Sequence, residues 1–132
     1  MYLFDNGVTN ALCHRLHSVV DPTLKGRLFE QFMVQETNRR LDYSGLDYAL
    51  YYWRTNHGAE VDLLIEVDGR LHKAIEFKST AAIGRRDMTG FTSFHEDNPL
   101  VECCIVCLAP EPFSIDFVNV IPWREYLMTL PR

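Results

Sequence analysis

Two acidic residues, Asp62 and Glu76, lie on either side of a glycine turn, each inside a run of alternating hydrophobicity. The first run is Glu60-Val61-Asp62-Leu63-Leu64-Ile65-Glu66-Val67. Its odd positions are apolar, and its even positions carry Glu60, Asp62, Leu64 and Glu66. Period-two alternation marks a strand with one buried face. In the second run, Leu71, Ile75 and Phe77 are expected on one face, with His72, Glu76 and Lys78 on the other. Asp68-Gly69 between the runs supplies the positive-φ residues that a hairpin needs.

Register decides which residues meet. A two-residue turn at Asp68-Gly69 would set Asp62 opposite Ile75 and send the two apolar faces to opposite sides. A three-residue loop, Asp68-Gly69-Arg70, pairs Val67 with Leu71, Leu63 with Ile75, Val61 with Phe77, Asp62 with Glu76 and Glu60 with Lys78. A buried face selects the register that keeps its apolar residues together, so the second pairing is expected. Two carboxylates facing each other across a sheet repel unless something positive holds them. A hard divalent cation such as Mg²⁺, or Mn²⁺ in its place, suits a carboxylate pair of this kind. Lys78 stands two residues beyond Glu76 on the same face. The alternative is the wet face of an ordinary antiparallel sheet.

With 132 residues, 47% hydrophobic and 23% charged, the chain reads as one globular domain, residues 1–132, with an N-terminal helical lead-in over 1–20 and a core over 21–132. No apolar run reaches membrane length and no basic-then-apolar leader opens the chain, so the expectation is a cytoplasmic protein with no membrane partner. A net charge of -5 argues against strong, indiscriminate nucleic-acid binding. It leaves room for a nucleic-acid enzyme whose acidic residues await a cation.

Asp5 or Asn6 can cap a short helix from Val8 to His17. Asp21-Pro22 opens a longer one, with Leu28, Phe29, Phe32 and Met33 as its apolar stripe to about Arg40. A strand over Tyr51–Thr55 precedes the hairpin. Met88, Phe91 and Phe94 then mark a helix from Asp87 to about Asp97, which Asn98-Pro99 stops. Strands over Val101–Leu108 and about Ile115–Val120 follow, and Pro122 starts a last helix. The fold class is α/β, with a mixed central sheet of about five strands flanked by helices.

Of the four cysteines, Cys103, Cys104 and Cys107 fall in one apolar strand and Cys13 lies near the N-terminus. One N-terminal cysteine plus three later ones resembles the iron–sulfur pattern of some nucleases, and Cys104 and Cys107 have a metal-like spacing, yet reduced structural thiols suit a buried strand better. His14 and His17 are three apart on a helix, and nothing of matching spacing completes a metal site with them.

The blocks Phe4-Asp5-Asn6-Gly7-Val8-Thr9-Asn10-Ala11-Leu12, Gly26-Arg27-Leu28-Phe29-Glu30, Tyr52-Trp53-Arg54-Thr55, Gly58-Ala59-Glu60-Val61-Asp62 and Ile75-Glu76-Phe77-Lys78-Ser79-Thr80 follow one another in this order. They resemble the domain of unknown function at the C-terminal end of many prokaryotic AAA-type ATPases, a branch of the PD-(D/E)xK nuclease superfamily. The similarity runs from Tyr2 to Ile121-Pro122-Trp123. Two features depart from it. The chain has no Gly-x-x-x-x-Gly-Lys-Ser/Thr, so it holds no ATPase domain of its own. Val61 also stands where the superfamily name has proline.

The resemblance implies a restriction-endonuclease-like core and Mg²⁺- or Mn²⁺-assisted hydrolysis of DNA phosphodiesters. Glu30, Asp62, Glu76 and Lys78 would be catalytic. Asp62, Glu76, the main-chain carbonyl of Phe77 and Glu30 would hold the metal, and Lys78 would stabilise charge developing on phosphorus. The partners it implies are DNA, bound weakly by the domain alone, and an AAA-type ATPase in cis or trans. Arg85, Arg86, Ser79 and Thr80 are candidate substrate contacts, with a solvated basic pair and local capping as their alternatives. Tyr51, Tyr52 and Trp53 suit either base stacking or sheet packing. A non-catalytic module that binds nucleic acid or a partner is the other functional class compatible with these residues.

Overall fold

A computed structural model describes residues 21–130. The helix capped by Asp5 or Asn6, together with Cys13, His14 and His17, lies outside the described residues. Helix α1 spans Pro22–Ser44. The Asp21 side chain accepts the Thr23 N–H at 3.0 Å, satisfying one of the orphan donors of the first turn, and Pro22 follows where no N–H is needed. The helix continues past Arg40 because Leu41 extends the buried stripe. It ends where Gly45, at φ 77°, takes the left-handed conformation.

Six strands form one mixed sheet: β1 (Tyr48–Arg54), β2 (Glu60–Val67), β3 (Arg70–Phe77), β4 (Glu102–Cys107), β5 (Phe113–Ile115) and β6 (Val118–Pro122), in the order β1-β2-β3-β4-β6-β5. The first three are mutually antiparallel, while β3, β4 and β6 run parallel. A six-stranded sheet replaces the five expected because the segment after Pro112 is a hairpin. Asp116, at φ 51°, turns the chain between Ile115 and Val118, which face each other. After β3 a 3₁₀ turn (Arg85–Met88) leads into α2 (Thr89–Asp97), and α3 (Trp123–Thr129) closes the domain.

Both faces of the sheet are covered. Phe29 and Met33 of α1 and Trp123, Tyr126 and Leu127 of α3 pack with Leu63, Ile65, Ile75 and Phe77 on one side. Phe91 and Phe94 of α2 pack with Val61, Leu64, Ala74 and Ile105 on the other. A nine-residue helix is too short to persist alone. Its two fully buried phenylalanines, each contributing about 1.5–3 kcal/mol, fasten α2 to the sheet.

The hairpin departs from strict alternation at two points. Its turn has two residues rather than three: Val67 faces Arg70, with Asp68 at φ 50° and Gly69 at φ 80°. Glu66 then faces Leu71 but Ile65 faces Lys73, so His72 is an extra residue on β3. This bulge restores the expected pairing of Leu63 with Ile75. It also sends Leu71 to the α2 side, away from Ile75 and Phe77. The second bulge is on β2, where Asp62 and Leu63 together stand opposite Tyr52 between the pairs Trp53–Val61 and Tyr51–Leu64. Val61 therefore joins the α2 side while Leu63 and Ile65 face α1. The expected single apolar face of β2 is in fact divided between the two cores.

Candidate carboxylate site

The site forms at the end of the sheet where β2 begins and β3 finishes. Asp62 occupies the bulge, and its Oδ2 accepts the main-chain N–H of Phe77 at 2.9 Å. That N–H points along the sheet toward β2, so the carboxylate lies in the gap between the strands rather than on either face. Burial raises the Asp62 pKa, and the Phe77 hydrogen bond partly offsets the rise.

Glu76 faces α2 and is only 7% exposed. Lys78 Nζ lies 3.4 Å from its Oε2. Desolvation pushes the Glu76 carboxyl up to about 7, against the pull of Lys78 and with a smaller push from Asp62. An acid with that pKa is poised to exchange its proton near neutrality.

Glu30 approaches from α1, on the other side of the sheet. Its pKa is raised first by burial, then by the charges of Asp62 and Glu60. The helix stripe explains its position: Phe29 and Met33 turn into the core and leave Glu30 on the flank, near the sheet end. The expectation that Asp62 faces Glu76 across the hairpin, with Lys78 on that same face, is thus modified. Glu76 stands on the α2 side, Glu30 on the α1 side, and Asp62 between them.

Glu60 is the acidic residue that the alternation pattern did not single out for chemistry. Its charge acts on Glu30, Asp62 and Glu76, and its own side chain is held on β1. Tyr52 Oη donates to Glu60 Oε2 at 2.6 Å, and Arg54 Nη2 lies 3.2 Å from the same oxygen. The Tyr52 hydrogen bond is the largest influence holding the Glu60 pKa below its ordinary value. Cross-strand pairing of Arg54 with Glu60 was the available signal, and it needed the extent of β1 to be known.

The first turn of α2 is seated directly against these strands. A Cβ on Gly90 would come within 2.2 Å of the Glu60 carbonyl oxygen and 2.8 Å of Glu76 Oε1, so only glycine fits here.

The other candidates are placed differently. Arg85 pairs with Asp116 at 3.1 Å on the β5–β6 turn, and Arg86 is exposed on the same 3₁₀ turn. Thr80 Oγ1 accepts the Ala82 N–H at 3.2 Å, a local turn contact, while Ser79 lies beside Gly26 of α1. Trp53 packs edge-on against Phe94 with ring centroids 5.4 Å apart, whereas Tyr51 and Tyr52 are exposed. Cys104 joins the α1-side core and Cys103 and Cys107 the α2-side core, so Cys104 and Cys107 do not converge. Among the described residues, no three His, Cys, Asp or Glu side chains are grouped to hold a metal ion, and no helix is long and apolar enough to cross a membrane.

Fold and site together define an α/β domain with a buried carboxylate–lysine group at the end of a mixed sheet. The chain belongs to the family described as a domain of unknown function, DUF4143, whose model matches residues 25–126. No curated protein and no solved structure matches it.

Proposed function

We propose that this domain is nuclease-like, of the PD-(D/E)xK type, and hydrolyses DNA phosphodiesters with Mg²⁺ or Mn²⁺ in association with an AAA-type ATPase. The observation that carries this reading is the meeting of Asp62, Glu76 and Lys78 at adjoining strand ends, with Phe77 N–H on Asp62 and Lys78 on Glu76. A group used only for packing gains nothing from two desolvated carboxylates set side by side.

The donor set fits a hard cation, since every candidate ligand is oxygen. Asp62 uses Oδ2 on Phe77 N–H and Glu76 uses Oε2 on Lys78, which leaves one oxygen of each for a ligand. Asp62, Glu76 and the Phe77 carbonyl would hold the ion, with Glu30 joining through water. Bound there, it would polarise the phosphate and acidify a water. The chain's own residues supply the rest. Lys78 offsets negative charge developing on the phosphoryl oxygens. Glu76, whose carboxyl burial raises to about 7, would give up its proton on taking up the ion. The Phe77 N–H fixes the Asp62 carboxylate in place.

A second reading is a non-catalytic module that binds nucleic acid or a partner, favoured by the absence, among the described residues, of a pre-grouped three-ligand set. Incubating the full chain with single- and double-stranded DNA at low ionic strength, with Mg²⁺ or Mn²⁺, separates the two. The hydrolytic reading expects slow nicking that Glu76→Ala and Lys78→Ala abolish. DNA bound but uncut with both ions would replace it with the second.

A further inference from the structure

We infer that Tyr52 and Arg54 form a strand-binding clamp beside the carboxylate site, taking one unpaired stretch of nucleic acid by base stacking and phosphate contact. The inference rests on the hydrolytic reading above and gives that site its substrate form.

Both residues sit on β1, an edge strand, and face the α1 side near its far end. Tyr52 stands directly opposite the Asp62–Leu63 bulge, so its ring lies on the Glu30 side of the site, across the sheet from Glu76. Tyr52 is 54% exposed and the Arg54 side chain 62% exposed, whereas their neighbour Trp53 is packed inward on Phe94. An edge-strand ring without core packing can stack an incoming base on the face that Arg54 leaves open. The Arg54 guanidinium lies over that ring, 5.2 Å from its centroid.

Arg54 is also held at a definite angle. Its Nε donates to Tyr52 Oη at 3.1 Å and its Nη2 reaches Glu60 Oε2 at 3.2 Å, while Tyr52 Oη donates to that same carboxylate. These contacts use one edge of the fork and leave Nη1 for a phosphate oxygen. Four carboxylates converge on this end of the sheet, Glu30, Glu60, Asp62 and Glu76, so a phosphate needs a cation there to approach at all. Lys78 is paired with Glu76 and Arg54 with Glu60, and of the two cations Arg54 is the more exposed. Stacking demands a splayed base, so an unpaired strand is the form of nucleic acid that the pair accepts.

Fluorescence anisotropy with a labelled single-stranded oligonucleotide tests this on the full chain, in Mg²⁺ at low salt and read within the first minutes. Tyr52→Ala and Arg54→Ala should each weaken binding about tenfold, within the range of one lost base stack or charged contact. Tyr52→Phe, which keeps the ring but releases Arg54 from the hydroxyl, should bind more weakly than wild type and more tightly than Tyr52→Ala. Arg54→Ala should also make the salt dependence shallower, by about 0.7 in the log–log slope. Thermal melts confirm that each variant is folded, and Arg54→Lys, which keeps the charge without the fork, should fall between wild type and Arg54→Ala. Unchanged affinity in both alanine variants, or no binding by wild type, overturns the clamp. So does a Tyr52→Phe loss as large as that of Tyr52→Ala, since the ring would then be irrelevant. Cleavage is scored separately. Lys78-dependent cutting with unaltered oligonucleotide affinity would overturn the clamp and leave the hydrolytic reading standing, while variant-sensitive binding without cutting would do the reverse.

Discussion

Phe77 donates its main-chain N–H to the side chain of Asp62, at 2.9 Å, in the place where a neighbouring strand would ordinarily offer a carbonyl. The acidic group is therefore part of the sheet's own hydrogen bonding. Charge and architecture are joined at this residue.

Asp62→Ala should destabilise the fold by about 1–3 kcal/mol, because it leaves a buried N–H without an acceptor. Asp62→Asn keeps an amide oxygen in reach of Phe77 and should cost markedly less. Urea unfolding of the two variants measures the difference, and hydrogen exchange at Phe77 should accelerate in the alanine variant alone. Equal losses in both would show that the hydrogen bond contributes little.

Stability should fall as pH rises through neutrality. The Glu76 carboxyl is raised from 4.5 to about 7 in the folded chain, so folding favours its protonated form. That contribution is fully present below pH 4.5 and is lost as pH climbs through about 7. Asp62 and Glu30 shift in the same direction. Glu76→Gln holds the neutral shape at every pH and should flatten the profile. Urea denaturation at about pH 5 and about pH 8 checks this, and a parallel decline in wild type and variant would contradict it.

A bound divalent cation should reverse that trend. By neutralising the carboxylates it lowers their pKa values, and by mass action it raises the melting temperature, more at alkaline than at acid pH. At a concentration a hundred times its dissociation constant the gain is about 2.7 kcal/mol. Melts of wild type and Asp62→Asn with and without millimolar Mg²⁺ or Mn²⁺ decide the matter. Identical shifts in both would place the ion elsewhere.

Gly90→Ala should destabilise the domain by about 1–3 kcal/mol, the usual cost of overpacking. Alanine would ordinarily gain about 1 kcal/mol over glycine within a helix. Here its methyl would meet the Glu60 carbonyl oxygen and Glu76 Oε1. A stabilised variant in thermal melts would show that α2 can move away without loss.

The buried thiols should be inert. Burial raises Cys103 to about 11 and also raises Cys104 and Cys107, so little thiolate exists at neutral pH. In a Cys13→Ser background, a disulfide reagent should label the native chain at the rate of unfolding. Rapid labelling would indicate an open β4.

The sequence was most legible where local chemistry sets structure. Asp21-Pro22 announced α1, Asp68-Gly69 the turn, and Asn98-Pro99 the end of α2. The pairing of Leu63 with Ile75, on which the whole site depends, also followed from the apolar pattern, although by a route that was not foreseen. Alternation supposes an unbroken pleat, and a bulge leaves no mark in a single sequence: His72 and Asp62 look like ordinary polar positions. Asp116 likewise gave no glycine signal for the turn that divides β5 from β6. Glu60 escaped notice because its importance comes from Tyr52 and Arg54 on another strand. Both sides of the sheet proved to be covered, which hydrophobic Leu64 had hinted at and the acidic positions around it obscured.

His72 lies near the hairpin tip, apart from Asp62 and Glu76, yet the bulge it forms determines where they point. Were this residue taken into the ladder instead of bulging out, the two-residue turn would carry its pairing straight down the hairpin and set Asp62 against Ile75. Phe77 would then turn toward α2, and Glu76 toward α1. Deleting His72 would therefore close the pleat and keep Leu63 on Ile75, whereas flattening the bulge with His72 in place would erase the site as surely as replacing its acids, while leaving every one of those acids in the sequence. Register, as much as identity, is what relatives of this chain must preserve between Gly69 and Glu76.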